Sequence, residues 1–217
     1  MILPAHSASD WGPALDAAVR AVSRGQAIIL PTDTVYGIGC DAFAPAAIAA
    51  VLAAKGRDRQ TPPPVLIASV AAVDGLARAI PEAARELMAA FWPGPLTIVV
   101  QAQPSLAWDL GDTGGTVALR VPNHPTALAL LARTGPLAVT SANRTGQPPA
   151  TTADEAERAL GESVAVVLDA GPSPVGEAST IVEATTPQLR ILRAGALSRE
   201  AIEGVVGSSV WAEGADA

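Results

Sequence analysis

Residues 27–37, which read AIILPTDTVYG, decide the fold of this chain. The apolar run at 27–30 lies between a glycine and a proline, a composition typical of a short buried strand. A loop of small polar residues follows, and ligands of open α/β sheets gather where loops leave the carboxyl ends of strands. Thr32 and Thr34 therefore suit a bound carboxylate or phosphate. The loop is equally compatible with a tight turn that packs Tyr36 in the core.

Helical and extended patterns alternate on both sides of this stretch. We predict helices at residues 12–23, 45–54, 70–79, 82–91, 126–133 and 152–160. Strands are predicted at residues 27–30, 65–68, 96–100, 117–121, 137–141, 164–168, 180–183 and 188–192. Asp10 is expected to cap the first helix, and the tail after Trp211 is expected to fray. Such alternation predicts an α/β fold in which helices cover a sheet.

The composition is that of one globular domain. Of the 217 residues 49% are hydrophobic, so we expect a single domain over residues 1–217 with its core at about 12–205. The one cysteine, Cys40, cannot form an internal disulfide. We find no signal-peptide pattern and no apolar stretch long enough to span a bilayer. A cytoplasmic protein without a membrane partner is therefore expected.

The net charge disfavours general electrostatic binding of nucleic acid, although one short segment is basic. The net charge is −7, whereas affinity for phosphate backbones comes from clustered cations. Lys55, Arg57 and Arg59 fall within five residues of a chain that has fourteen Lys plus Arg. Most basic runs are solvated charges that complement a helix C-terminus. This one also suits a triphosphate, with arginine as a bidentate clamp and lysine as a point charge.

Residues 116–121, which read TVALRV, place an arginine on a predicted strand. Alternation puts Thr116, Ala118 and Arg120 on the same face. A half-buried arginine requires an anionic partner. That partner is either a protein carboxylate or the carboxylate of a bound amino acid.

Further polar side chains lie at the ends of other predicted strands. Residues 139–151 read VTSANRTGQPPAT, a composition that can surround a phosphate or a ribose and that also occurs in ordinary loops. Ser179 precedes one strand and Arg193 follows another. GxxxxGK[ST] and GxGxxG are absent, and His6 and His124 have no partners for a zinc or nucleophilic site. We therefore expect no resident metal, and catalysis by positioning and charge.

Taken in order, these segments resemble the YrdC/TsaC family, the threonylcarbamoyl-AMP synthases. The motifs that carry the resemblance are PTDTVYG, KGR, WPGPLT, TVALRVP, TSANRTGQPPATT and STIVE followed by LRAG. The resemblance implies a twisted, open, mixed sheet flanked by helices, in a short form without a second C-terminal domain. It also implies synthesis of L-threonylcarbamoyl-AMP and pyrophosphate from L-threonine, bicarbonate and ATP, with Mg²⁺. The product would feed a separate threonylcarbamoyl transferase that modifies an adenosine of tRNA.

The resemblance further implies a role for each matching residue. Lys55 and Arg57 would be the catalytic ligands of the triphosphate. The implied ATP contacts are Arg57, Thr61, Thr116, Ser141, Asn143, Thr151 and Arg193. The implied L-threonine contacts are Thr34, Tyr36, Arg120 and Ser179. Thr61 and Ala194 depart from the family pattern, which carries asparagine or lysine at the first position and proline at the second.

A mechanism and a rival follow from these roles. Threonine, anchored by Arg120 and Thr34, would react with bicarbonate through its amine, and the resulting carbamate would attack the α-phosphorus of ATP. Mg²⁺, Lys55 and Arg57 would stabilise the departing pyrophosphate. The rival is a double-stranded RNA or tRNA binding module that uses residues 55–59, which the net charge disfavours.

Overall fold

The strand predicted at residues 27–30 lies within a sheet that has ten strands over the residues that the structure describes, 1–212. The structure is a computed structural model. Its strands are β1 (Ile2–Pro4), β2 (Ile28–Leu30), β3 (Gly37–Asp41), β4 (Val65–Leu66), β5 (Leu96–Gln101), β6 (Thr116–Arg120), β7 (Leu137–Ser141), β8 (Val166–Asp169), β9 (Thr180–Glu183) and β10 (Arg190–Arg193). Its helices are α1 (Ala8–Ser23), α2 (Pro45–Ala54), α3 (Val73–Leu76), α4 (Glu82–Phe91), α5 (Pro125–Thr134), α6 (Ala153–Leu160) and α7 (Arg199–Val206).

The strand order is β1-β8-β2-β3-β7-β4-β6-β5-β9-β10. Strand β2 runs parallel to β8 and antiparallel to β3, so the sheet is mixed. The predicted α/β fold with an open mixed sheet and flanking helices is confirmed. Residues 213–217, where most of the tail predicted to fray falls, lie outside the described residues.

Helices pack on both faces of the sheet, and successive side chains of β2 contribute alternately to the two hydrophobic clusters under these helices. Ile28 and Leu30 pack with α1 and α5, whereas Ile29 packs in the cluster that α2, α4 and α6 cover. All three side chains are fully buried. A strand buried on both faces is a continuous apolar run, which explains why the sequence predicts it. Over residues 1–212 no helix has the length and apolar character needed to cross a membrane.

Helix α1 begins at Ala8, one turn before the predicted start. Its N-cap is Ser7, so the prediction of Asp10 as the cap is wrong. The Asp10 carboxylate instead accepts hydrogen bonds from the Ser7 backbone N–H at 3.2 Å and from the Ser7 hydroxyl at 2.9 Å. An acidic side chain at the third helical position stabilises the N-terminus in this way.

The helix predicted at residues 70–79 is wrong over its last three residues. A 3₁₀ turn at Val70–Ala72 leads into the four-residue α3, after which Ala77 pairs with Ala102 beside β5. Gly75 lowers the helix propensity of this segment, which favours the early end. The other predicted helices and strands are present, with ends that differ by at most two residues.

The sequence pattern misses β1, β3 and α7. Strand β3 reads GIGCD, and glycine disfavours strands, so only its pairing with β2 on one side and β7 on the other reveals it. Its glycines also make room for Val139 of β7. A Cβ added at Gly37 or Gly39 would lie 2.5 or 2.7 Å from a Val139 methyl group.

We expect Gly39→Ala to lower the free energy of unfolding by about 1–3 kcal/mol, because an added methyl overpacks this contact. Urea denaturation measures the change. Adding Val139→Ala to the same chain should recover part of the loss, since it removes the opposing methyl groups. Gly204→Ala on α7 is the matched control, because its Cβ would meet nothing within 4 Å. Equal stability of the Gly39 variant and this control would contradict the expectation.

Candidate functional site

A cavity of about 430 Å³ lies on the face of the sheet that α1 and α5 leave uncovered. Those helices cover β8, β2 and β7, whereas β6 and β5 present mostly small and polar side chains to the cavity and β9 presents Ile181. Thr116, Ala118 and Arg120 all line it, which confirms the prediction that they share a face. The cavity is large enough for a nucleotide-sized ligand.

The site is not confined to the carboxyl ends of strands, where we expected it. Thr34 follows β2 and Ser141 ends β7, in agreement with that expectation. Thr116, however, begins β6, and Thr97 lies inside β5. The difference arises because a half-uncovered sheet face, and not only its edge, is open to a ligand.

Most of the predicted site residues meet at this cavity, although they come from distant parts of the chain. The wall includes Thr34, Tyr36, Arg57, Thr61, Thr116, Arg120, Ser141, Ser179 and Arg193. Three others lie outside the wall, namely Lys55, Asn143 and Thr151. The individual roles stay predictions.

Arg120 is held by three protein acceptors. Its Nη2 donates to Asp33 Oδ1 at 2.6 Å, its Nη1 to Thr34 Oγ1 at 2.9 Å and its Nε to the Gly94 carbonyl at 2.9 Å. The Arg120 and Asp33 side chains are only 7% and 5% exposed. Burial lowers the pKa of Arg120, and the Asp33 carboxylate opposes that effect. Of the two partners that the sequence left open, a protein carboxylate is present, and two of the five guanidinium N–H groups have no acceptor within residues 1–212.

Asp33, which holds Arg120 from behind the cavity wall, was not predicted from the sequence. Its Oδ1 also accepts a hydrogen bond from the Asn123 backbone N–H at 3.0 Å. Its Oδ2 is buried and has no hydrogen-bond partner within residues 1–212. The available signal was an acidic residue inside a loop that directly follows a buried strand, because such a carboxylate requires a cation.

Arg57 and Arg193 bring two further cations to the wall. Within residues 1–212 Arg57 donates only to hydroxyls, from Nε to Thr145 at 3.3 Å and from Nη1 to Thr140 at 3.2 Å. Arg193 donates to the Ser179 carbonyl from Nε at 3.1 Å and from Nη2 at 2.6 Å. Burial, and then repulsion from Arg57, lower the pKa of Arg193. No carboxylate lines the described cavity wall, so this pair of like charges suits a polyanion.

Lys55, the only lysine in the chain, holds the loop that follows β7. Its ammonium donates to the Ser141 carbonyl, to the Asn143 carbonyl at 2.6 Å and to Asn143 Oδ1 at 3.2 Å. An ammonium has three protons, so each of them has a protein acceptor. Burial, and then Arg57, lower the pKa of Lys55 to about 8. These contacts show that Lys55 holds the loop at residues 141–143 in place. Its predicted contact with phosphate stays a prediction.

Asn143 and Thr151 also use their polar groups within the protein. Asn143 Nδ2 donates to the Gln147 carbonyl at 2.6 Å. The Thr151 hydroxyl donates to Glu155 Oε2 at 3.0 Å beside the start of α6. Both side chains therefore shape the loop around the site.

Two residues predicted to contact threonine are part of hydroxyl networks. The Tyr36 hydroxyl donates to the Gly171 carbonyl at 2.7 Å, and burial raises the pKa of Tyr36 to about 12. The Ser179 hydroxyl lies 2.8 Å from that of Thr97, a wall residue that the sequence analysis did not single out. Tyr36 therefore stays neutral and buried, while Ser179 and Thr97 present hydroxyls to the cavity.

Arg59 does not belong to the cavity wall. It pairs with Asp109 at 2.8 Å and with Asp112 at 3.4 Å. The interpretation of three adjacent cations as one triphosphate cluster is therefore wrong for Arg59, because carboxylates distant in sequence take up its charge.

Comparison with known proteins identifies the family. Residues 20–195 match the model of the Sua5/YciO/YrdC domain, whose description is "Telomere recombination". The match covers more than half of the chain. This chain belongs to the Sua5/YciO/YrdC family. The resemblance that its motifs indicate is confirmed.

Two similar proteins carry the same activity in their names, and a third has been solved with L-threonine. A Mycobacterium tuberculosis relative, provisionally named threonylcarbamoyl-AMP synthase, is 53% identical over 190 residues, which are 88% of each chain. The Bacillus subtilis threonylcarbamoyl-AMP synthase is 36% identical over 198 residues, covering 90% of this chain and 57% of that protein. The structure of Pyrococcus abyssi Sua5 complexed with L-threonine aligns with a TM-score of 0.90 at 33% identity, covering 95% of this chain and 61% of that one. The chain spans about three fifths of the length of the Bacillus and Pyrococcus proteins.

Proposed function

We propose that this protein synthesises L-threonylcarbamoyl-AMP from L-threonine, bicarbonate and ATP and releases pyrophosphate. The observation that carries the proposal is a single cavity whose wall includes three arginines, Arg57, Arg120 and Arg193. Arginines are well suited to bind the carboxylate of an amino acid and the phosphates of a nucleotide. The names of the similar proteins support the same activity.

The end of the cavity around Arg120 is suited to an amino acid. The two N–H groups of Arg120 that remain without protein acceptors can bind a carboxylate, and Thr34 and Ser179 offer hydroxyls to a polar side chain. Because Asp33 and the Gly94 carbonyl fix the guanidinium, little side-chain entropy is lost when substrate binds. L-threonine, present in the Pyrococcus Sua5 structure, fits this chemistry.

The remainder of the wall is suited to ATP. Arg57 and Arg193 would bind the phosphates. Pro62, Leu110 and Ile181 supply apolar surface for a base. No group of three or more His, Cys, Asp or Glu able to hold a metal occurs in the described residues 1–212, and the cavity wall has no carboxylate. A resident metal does not fit these residues, so Mg²⁺ would enter bound to the phosphates of ATP.

The proposed reaction needs positioning and charge stabilisation. The threonine amine adds to bicarbonate with loss of water, and the carbamate oxygen then attacks the α-phosphorus as the bond to pyrophosphate breaks. Arg57 stabilises the charge that develops on pyrophosphate. Lys55 keeps the turn at residues 141–143 in place and adds positive charge nearby. Among residues 1–212 the cavity wall offers hydroxyls and arginines but no histidine, cysteine or carboxylate to generate a covalent nucleophile.

One incubation tests the proposal. The purified protein is mixed with MgATP, bicarbonate and isotope-labelled L-threonine, and pyrophosphate and the labelled adenylate are quantified. We expect pyrophosphate release that depends on both threonine and bicarbonate. Release that proceeds equally without threonine, or no adenylate at all, would overturn the proposal.

The pKa of Lys55 predicts how ATP binding depends on pH. The ammonium is charged below about pH 8 and loses its charge above it, so the site becomes less positive as pH rises. We expect the dissociation constant of ATP, measured without threonine, to rise about fivefold between pH 7.5 and pH 9.5, as one charge at short range implies.

Because Lys55 is the only lysine, lysine labelled with ¹³C gives one side-chain resonance whose titration reports this pKa directly. Lys55→Met is the matched variant, since it lacks the titrating group, and its affinity should vary less with pH. The same pH dependence in both proteins would show that another group is responsible.

The partners and compartment belong to the same proposal. The product is a mixed anhydride, so a threonylcarbamoyl transferase must consume it, and tRNA is the acceptor that the family resemblance implies. We place these steps in the cytoplasm. RNA binding as the principal role is not favoured, because Lys55 is buried and carboxylates pair with Arg59.

A further inference from the structure

Residues 102–115, which connect β5 to β6, form one wall of the cavity, and we name them the cover segment. Leu110 and Thr113 of this segment line the cavity. Both residues also line a second cavity of about 240 Å³. Leu110 is 3% exposed and packs in the hydrophobic core, whereas most of its neighbours in the segment are polar or exposed. The contacts that anchor the cover segment therefore determine how well it closes the site.

Arg59 anchors the part of the segment that carries Leu110 and Thr113. Its Nη1 and Nη2 donate to the two carboxylate oxygens of Asp109 at 2.9 and 2.8 Å, which is a bidentate pair. Its Nε lies 3.4 Å from Asp112, and the Asp112 backbone N–H donates to the Arg59 carbonyl at 2.7 Å. Hydrogen bonding to Arg59 lowers the pKa of Asp109. Both the side chain and the backbone of Arg59 thus hold the cover segment.

Two neighbouring contacts support this anchor. Gly111 adopts a φ of 108°, and a Cβ there would lie 2.6 Å from the Arg59 carbonyl oxygen, so the close backbone approach requires glycine. The Trp108 ring stacks on that of Phe43, with centroids 5.5 Å apart.

The anchor connects the cover segment to the phosphate side of the cavity. Arg59 lies two residues after Arg57 and two before Thr61, both of which line the cavity. A displacement of residues 57–61 would therefore move Arg57 and Thr61 together with the contacts that hold the cover segment. Arg59 thus connects the wall residues Leu110 and Thr113 to the loop that carries Arg57.

We infer that Arg59 and Asp109 are positioning residues that hold the cover segment against the cavity, so that Leu110 and Thr113 complete the wall around the nucleotide. The inference rests on the proposed function, in that ATP is the ligand enclosed. Neither side chain touches a reactant. Both are partly exposed, at 59% and 43%, so the pair contributes little to global stability, and its effect falls on the closure of this segment.

The test measures ATP affinity and local opening separately. For Arg59→Gln we expect the dissociation constant of ATP, determined by calorimetry, to rise about threefold to tenfold, because loss of the pair lowers the population of the closed segment. Amide hydrogen exchange in the ligand-free protein should accelerate at residues 106–113 and remain unchanged in the sheet. Asp109→Asn should have the same effect, and the double variant should be no weaker than either single one.

Two controls make the result specific. The exchanged pair Arg59→Asp with Asp109→Arg should recover part of the affinity. Arg85→Gln removes another exposed pair, whose distance to Asp74 is 2.8 Å, and should change neither measurement.

Each outcome either supports or contradicts the positioning role of Arg59 and Asp109. Faster exchange in the Arg59 variant with unchanged ATP affinity would overturn the inference, as would unchanged exchange or a wild-type protein that does not bind ATP. A wild-type protein that binds ATP but forms no threonylcarbamoyl-AMP would overturn the proposed function. The ATP affinities of the wild type and the Arg59 variant would still test the role of the cover segment.

Discussion

Replacing Arg120 with glutamine is expected to lower the free energy of unfolding by about 3–5 kcal/mol and to abolish threonine-dependent pyrophosphate release. The stability loss arises because Asp33, whose side chain is 5% exposed, would keep a buried charge without its cation. The loss of activity arises because Arg120 is the proposed ligand of the substrate carboxylate. Denaturant titration and the pyrophosphate assay measure the two effects.

A double variant separates these two effects. In Asp33→Asn with Arg120→Gln both members of the pair are neutral, so most of the lost stability should return while activity stays absent. Arg133→Gln is the control, since it removes the exposed pair with Asp16 and should change stability by less than about 1 kcal/mol. Activity in the stable double variant would show that Arg120 is structural only.

Replacing Arg57 with glutamine is expected to lower kcat/KM for ATP about 100-fold to 1000-fold, the range found when one transition-state ligand is removed. Stability should remain nearly unchanged, because in the described part of the chain Arg57 makes only two long hydrogen bonds, to the hydroxyls of Thr145 and Thr140. The comparison is made by steady-state kinetics and thermal unfolding. Arg20→Gln, on the exposed surface of α1, is the charge-matched control and should be indistinguishable from wild type.

A conservative replacement sharpens the test of Arg57. Lysine keeps the charge but lacks the planar fork, so Arg57→Lys should retain only part of the activity. A decrease in kcat/KM below tenfold for Arg57→Gln would mean that Arg193 or Lys55 bears most of the charge stabilisation.

The sequence predicted most of the fold because most elements carry their own signal. The apolar run of β2 and the β-branched run of β5 are recognisable without neighbours. Strand β3 is not, since its glycines satisfy a packing requirement set by Val139, which lies about a hundred residues further along the chain. The start of α1 was predicted too late because Asp10 is not the N-cap but the third residue of the helix, from which its carboxylate accepts hydrogen bonds from Ser7.

The candidate site was predictable to a similar extent. The order of the motifs indicated the family and most of the wall, including Arg57, Arg120 and Arg193. It could not show that Lys55 is buried against loop carbonyls, nor that Asp109 takes up the charge of Arg59. Those facts depend on which distant groups meet.

By itself, then, the sequence determined which segments are buried strands, which loops are rich in hydroxyls and cations, and to which family the chain belongs. These properties depend on residue type and short spacing. Only the tertiary structure decided the partner of each charge: Asp33 for Arg120, carbonyl oxygens for Lys55 and Asp109 for Arg59. The physical reason is that electrostatic interactions and desolvation act over a few ångströms in space, and sequence separation does not constrain that distance.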